Sequence, residues 1–294
     1  MIIPAHNSAV TLPETLASVL AQTYDDWDCI VADDASTDDT LAVAQAAGPR
    51  VRCAHSATNV GPAGARNLAI GHAGGELLAF LDADDVWEPE YLERQVAAFD
   101  AAGPRVGVVA ANAYFLTAAG RAGLTYAEVH GRAANVGLTE LLRSNRIFIS
   151  ALVPKAVVDE VGGFSTECWG SEDHDLWLRV VQAGYRVIAT DEPLVGYRVR
   201  DASVSANALS MARTSQTTYR RALERGGLDR RQRLIANRHL LLQNSVEQLE
   251  LLRCARGAAR RVRLALRSLP VVLTTVALHP DRWLAWVRLI ARRR

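Results

Sequence analysis

Lysine is nearly missing from this 294-residue chain: Lys155 stands alone, and every other basic side chain apart from histidine is arginine. Its basic surfaces are therefore built from a planar fork that pairs bidentately with phosphate or carboxylate. Cysteine is also scarce. Cys29, Cys53, Cys168 and Cys254 lie far apart with no CxxC pair, which argues against a zinc site or a disulfide framework and suits a reducing compartment. No run of about 18 apolar residues is present to span a bilayer. No charged segment followed by an apolar one opens the chain, as a secretory signal would. Internal repeats and low-complexity tracts are likewise missing.

What remains is an ordinary globular composition, 49% hydrophobic and 22% charged. Its length suits one α/β domain with additions or two small domains. The net charge of +1 conceals an asymmetry. Between Arg253 and Arg294 eleven arginines face a single acid, Asp281, whereas the acids concentrate before Asp201. That acid-rich remainder argues against nucleic acid as a partner.

The most informative stretch is Leu77-Leu78-Ala79-Phe80-Leu81-Asp82-Ala83-Asp84-Asp85. Five apolar residues read as a buried strand, and the carboxylates must emerge at its C-terminal edge because such a strand tolerates no acid in its middle. Open α/β sheets bind ligands at that edge. Asp82 and Asp84, one residue apart, suit a hard divalent cation that bridges to phosphates. Taken alone, the same pair also reads as a solvated acidic turn before a helix.

In chain order, Met1-Ile2-Ile3 begins a strand shorter than the roughly five residues usual at a sheet centre, so a few native residues are expected to precede it. Pro4 ends that strand by removing a ladder donor. Thr11-Leu12-Pro13-Glu14 has a capping-box pattern and opens a helix to about Gln22, with Leu12, Leu16, Val19 and Leu20 on one face. A second strand, Trp27 to Ala32, runs into Asp33-Asp34. The dipole of the next helix accounts for Asp38 and Asp39 but not for Asp33 and Asp34. A third strand at Val51 to Ala54 leads to Asn59-Val60-Gly61-Pro62-Ala63-Gly64-Ala65-Arg66-Asn67. Small residues there let phosphate or ribose approach the backbone, with Arg66 as the anion partner. This alternation predicts a parallel sheet with helices on both faces.

Further on, the pattern predicts a helix from Pro89 to Ala101, a strand from Val106 to Ala111 and a loop-rich region from Phe115 to Asn145, of the kind that carries specificity. A strand over Ile147 to Val153 and a short helix over Val157 to Val161, stopped by Gly162-Gly163, come next. Glu172 and Asp173 open another helix whose apolar face is Leu176, Leu178 and Val181, and first-turn acids have a sufficient local reason in its dipole. Arg186 to Ala189 forms a last short strand before Tyr197-Arg198-Val199-Arg200. From Leu209 onward the chain reads as helical. Leu269 to Leu278, flanked by arginines and followed by Trp283 and Trp286, suits either an anionic membrane surface or a helix docked on the preceding domain.

Six pieces, in order, resemble the family 2 glycosyltransferases, which have the GT-A fold. They are Ile3-Pro4-Ala5-His6-Asn7, Asp33-Asp34-Ala35-Ser36-Thr37-Asp38, Asn59-Val60-Gly61 with Ala65-Arg66-Asn67, Asp82-Ala83-Asp84-Asp85, Gly162-Gly163-Phe164, and Glu172-Asp173. The resemblance covers roughly residues 1–205 and leaves 206–294 as a helical, Arg-rich C-terminal extension. It implies an α/β, Rossmann-like, mostly parallel sheet flanked by helices, with a nucleotide-binding half at about 1–111 and an acceptor half at about 112–205.

The implied activity is inverting transfer of a sugar from a nucleotide-diphosphate donor to a hydroxyl of a glycan, lipid-linked or small acceptor. By the same resemblance, Pro4, Ala5 and Asn7 line the nucleotide pocket, Asp33 accepts from the base edge, and Asn59, Gly61 and Arg66 shape the adjoining loop. Asp82 contacts the ribose or a metal-bound water, Asp84 ligates Mn²⁺ or Mg²⁺, and Asp173 is the general base with Glu172 in reserve. The chain departs from the pattern at one point. Many members carry a His after the Tyr-Arg pair to complete the metal site, whereas here Arg200 stands there, and arginine has no acceptor with which to ligate a cation. Arg200 is expected to pair with the diphosphate instead. The alternative reading is a nucleotide-sugar binding module without catalysis. The expected location is cytoplasmic, peripheral at the inner membrane face through the C-terminal region.

Overall fold

The structure, a computed structural model, describes residues 1–199 and 207–254. Arg200 and the tail with its Leu269 to Leu278 segment, arginines, Trp283 and Trp286 lie outside the described residues. The chain divides into two compact units, Met1–Asp201 and Ala202–Arg294.

The first unit opens with the alternation β1 (Ile2–Ala5), α1 (Leu12–Leu20), β2 (Cys29–Asp34), α2 (Thr40–Gln45), β3 (Val51–Ser56) and α3 (Gly61–His72). It continues with β4 (Leu77–Ala79), β5 (Val86–Trp87), α4 (Tyr91–Ala101), β6 (Val106–Thr117), β7 (Gly120–Thr125), α5 (Tyr126–His130) and α6 (Leu138–Arg143). The unit closes with β8 (Ala151–Pro154), α7 (Lys155–Glu160), α8 (Glu172–Gln182) and β9 (Arg186–Arg198).

Strands β1, β2 and β3 are parallel, as the alternation predicts, and lie in that order. The second sheet has the order β4-β8-β6-β9-β5, with β7 on β6, and is parallel only between β6 and β9. The remaining pairs are antiparallel. Leu77 to Leu81 is the seam between the sheets. Phe80 N–H donates to Ala151 O, Leu81 N–H donates to Ile2 O, and Ile2 bridges Phe80 in parallel. Phe80 and Leu81 are wholly buried, so Asp82 is the first residue able to leave the core.

Several local expectations need correction. Leu12, Leu16 and Val19 of α1 are buried, but Leu20 sits at the rim of the apolar stripe and is exposed. The Thr11 hydroxyl makes no cap on α1; it donates to Ala83 O at 2.9 Å and ties the helix start to the acidic loop. The region from Phe115 to Asn145 holds more than loops, because β6 runs on to Thr117 and β7, α5 and α6 follow. Pairing with β9 along its length supplies the backbone partners that make this extension possible. Likewise β9 reaches Arg198 rather than stopping at Ala189, and β8 begins only at Ala151.

In the second unit α9 (Ala208–Arg225) packs against α10 (Arg230–Cys254). Asn207 caps α9 by accepting from Ser210 N–H at 3.0 Å. Glu247 draws Arg213 and Gln216 together at 2.9 and 2.7 Å, and Tyr219 stacks on His239. Among the described residues, no helix is long and apolar enough to cross a membrane.

Candidate active site

The C-terminal ends of β1 and β2, the end of the seam strand, α3 with the loop before it, and the first turn of α8 contribute the predicted residues. Ala5 pairs with Asp33 across β1 and β2, and Asp33 pairs with His55 across β2 and β3. Asp33 is buried, with Oδ2 2.8 Å from His55 Nδ1 and Oδ1 sealed from solvent with no donor in reach. Its neighbour Asp34 has a structural duty that the dipole of the next helix does not supply: its two oxygens accept from Val60 N–H at 2.7 Å and Gly61 N–H at 2.8 Å. Asn59 Oδ1 accepts from the same Gly61 N–H at 3.1 Å. Pro4 lies in β1 beside Ala32. Asn7, in a left-handed conformation at φ 49°, spends its side-chain oxygen on Thr37 N–H at 2.8 Å and so fastens the β1 loop to the β2 loop.

Gly61 has φ 75°, and a side chain there would press on the ring of Trp169 at 3.2 Å. Glycine meets both demands. Trp169, 47% exposed, thus lies over the loop that follows β3. No motif gives it a role, although an aromatic directly before Gly170-Ser171 and the acidic helix start is a usable signal.

Arg66 joins two stations. On α3 and buried, it donates through Nη2 to Asp82 Oδ1 at 2.6 Å and through Nη1 to Glu172 Oε1 at 2.7 Å. Both carboxylates favour its charged form against the cost of burial. Asn67, next along, clamps the other motif: its amide donates to Phe164 O and accepts from Phe164 N–H, each at 2.8 Å. The Arg-Asn and Gly-Gly-Phe pieces, about a hundred residues apart in the chain, thus form one contact.

Asp82, Asp84 and Asp85 each offer an oxygen within 4.8 Å of the others. Asp85 is buried; Oδ1 accepts from Arg198 N–H at 2.8 Å, and Oδ2 is sealed without a donor. Burial first, then the charges of Asp84 and Asp82, push its pKa well above the carboxylate range. An orphaned buried oxygen in an all-carboxylate set fits a hard divalent cation. Arg198 also donates through Nε to Asp84 O at 2.7 Å and through Nη2 to Glu14 at 2.6 Å, so the end of β9 holds the acidic loop in place.

Asp173, in the first turn of α8, remains partly exposed. Oδ2 accepts from Asn145 Nδ2 at 2.8 Å, and Oδ1 accepts from His174 N–H at 2.7 Å. Its pKa is raised to about 7, chiefly by desolvation and then by the charge of Glu172, against the pull of the His174 N–H, Arg66 and Asn145. Glu172 has both oxygens engaged, Oε1 by Arg66 and Oε2 by Gly170 N–H at 2.7 Å. Beside Asp173 lies an aromatic group that no motif announced: Tyr126 contacts Phe148 and His130, and Phe148 contacts Tyr197.

Comparison with known proteins brings the following. The family described as Glycosyl transferase family 2 matches residues 1–159. WfaP of Escherichia coli, described as a UDP-Glc:alpha-D-GlcNAc-diphosphoundecaprenol beta-1,3-glucosyltransferase, is 30% identical over 210 residues, 70% of this chain and 79% of WfaP. WfgD of Escherichia coli, with the same described activity, is 39% identical over 98 residues, so the match spans only 39% of its length. Among solved structures, S. aureus TarS in complex with UDP-GlcNAc matches with TM-score 0.67 at 17% identity, covering 92% of this chain and 80% of that one. Mannosyltransferase PcManGT from Pyrobaculum calidifontis, in complex with GDP-Man and Mn²⁺, matches with TM-score 0.65 at 19% identity, covering 99% and 83%. Likeness at these identities establishes the GT-A architecture.

Proposed function

Because the chain belongs to glycosyl transferase family 2, we propose that it moves a sugar, with inversion, from a nucleotide-diphosphate donor to an acceptor hydroxyl, and that Asp173 is the general base. The observation that carries this reading is the Asp173 carboxyl, oriented by Asn145 and the His174 N–H and raised to about 7. In an inverting displacement the acceptor hydroxyl attacks from the face opposite the leaving group, and a base tuned near neutrality removes its proton most effectively. Glu172, ion-paired with Arg66 and with both oxygens engaged, takes the positioning role. A module that only binds makes no use of a carboxyl held in this way.

Asp84, Asp82 and Asp85 would hold the divalent ion, Mn²⁺ or Mg²⁺, whose charge stabilises a departing diphosphate when it is bound. Pro4, Ala5, Asn7, Asp33, Asn59 and Gly61 would form the nucleotide pocket, Arg66 would brace Asp82 beside it, and Arg200 would pair with the diphosphate. The described activities of WfaP and WfgD favour a sugar on a lipid diphosphate as acceptor. Such an acceptor goes with a cytoplasmic enzyme working at the membrane face.

A thermal-shift screen of nucleotide-diphosphate sugars, with and without Mn²⁺, tests the donor and the metal together. The expected result is stabilisation by one nucleotide class that grows when Mn²⁺ is present. No shift with any of them contradicts the reading.

A further inference from the structure

Asp33 and His55 sit side by side in one row across β2 and β3, and in-register neighbours in a sheet present their side chains to the same face. His55 Nδ1 lies 2.8 Å from Asp33 Oδ2; the His55 side chain is 52% exposed and that of Asp33 only 1%. The other oxygen, Oδ1, is buried and has no protein donor. A sealed carboxylate oxygen without a donor is costly, so this one is set for an N–H that the protein does not supply. The contrast with Asp34 is instructive, since both of that residue's oxygens are consumed by the Val60 and Gly61 N–H groups.

We propose that His55 is a specificity-determining residue for the base of the sugar donor: by occupying Asp33 Oδ2 it leaves one acceptor, Oδ1, which matches uracil and disfavours guanine, cytosine and adenine. This rests on the nucleotide-diphosphate reading above. Uracil presents a single ring N–H between two carbonyls and needs one acceptor. Guanine presents its ring N–H and exocyclic amine together and needs both carboxylate oxygens, of which one is taken. Cytosine and adenine present a ring nitrogen lone pair at the pairing edge, which meets the carboxylate lone pairs and is repelled. His55 touches Asp33, so its role is to position that carboxylate and restrict it.

The test is calorimetric titration of the full chain with UDP, GDP, CDP and ADP in the presence of Mn²⁺. The wild-type protein is expected to bind UDP at least tenfold more tightly than the other three. His55→Ala frees Oδ2 and should shrink the UDP-to-GDP ratio several-fold, chiefly by strengthening GDP, while CDP and ADP stay weak. His55→Gln, whose amide can still donate to Oδ2, should restore the wild-type ratio, which general loosening of the site would not produce. If none of the four nucleotides binds wild-type protein, the donor reading itself fails. Binding without a preference for UDP, or a ratio unchanged in His55→Ala, overturns the role of His55 alone. Wild-type binding without a preference for UDP overturns the proposal even if a variant does not fold.

Discussion

Arg66 and Glu172, 106 residues apart, meet at 2.7 Å with side chains only 4% and 8% exposed. Removing one partner of a buried pair strands the other's charge, which typically costs about 3–5 kcal/mol. Arg66→Met is therefore expected to lower stability by roughly 3 kcal/mol, measured by denaturant unfolding. It should also abolish transfer, because Asp82 and the start of α8 lose their common brace. Unchanged stability would show that the pair contributes nothing.

Asn145 donates to Asp173 Oδ2 at 2.8 Å and favours the ionised form. Asn145→Leu removes that help and should move the ascending limb of the pH–rate profile to higher pH. A shift of one pKa unit would reduce activity below the limb by roughly tenfold. A limb that stays in place would exclude Asn145 from tuning the base.

The same carboxyl has a consequence for stability. Its folded pKa of about 7 exceeds the ordinary 3.8, so between those values the folded state binds the proton more tightly than the unfolded state does. This contribution is present below the unfolded pKa and is lost as pH rises through about 7. Tm of wild-type protein should therefore fall across that window relative to Asp173→Asn, whose side chain has no proton to lose. Parallel curves would contradict it.

Asp85 separates stability from metal binding. Asp85→Asn keeps an oxygen for Arg198 N–H and removes a buried carboxyl whose charged form burial, Asp84 and Asp82 disfavour, so Tm without metal should rise while Mn²⁺ affinity, read by calorimetry, falls. Asp84→Asn should weaken Mn²⁺ binding too, and chelation should lower nucleotide affinity in wild-type protein. An Asp85→Asn protein with full Mn²⁺ affinity would remove it from the ligand set.

How much of this was legible in sequence follows from physical range. Asp82 and Asp84 could be placed because a hydrophobic run ending in acids fixes a strand end locally, and Leu77 to Leu81 does form the seam between sheets. Glycine in Asn59-Val60-Gly61 could be flagged, but not its reason, since Trp169 comes from far along the chain. The Arg66 bridge to Glu172, the Asn145 contact to Asp173 and the hold of Arg198 on the acidic loop are tertiary contacts that no spacing encodes. The Phe115 to Asn145 region reads as loop-rich because its strand is stabilised by β9 rather than by its own pattern.

The most direct test of the central claim is the pH dependence of sugar transfer by wild-type and Asp173→Asn proteins, with nucleotide binding measured alongside. The wild-type rate should climb as pH rises through about 7. Asp173→Asn should bind the nucleotide as before and lose transfer by at least a hundredfold, on the scale of general-base catalysis, about 10²–10⁴. Full transfer by Asp173→Asn, with the ascending limb intact, would show that another group takes the proton.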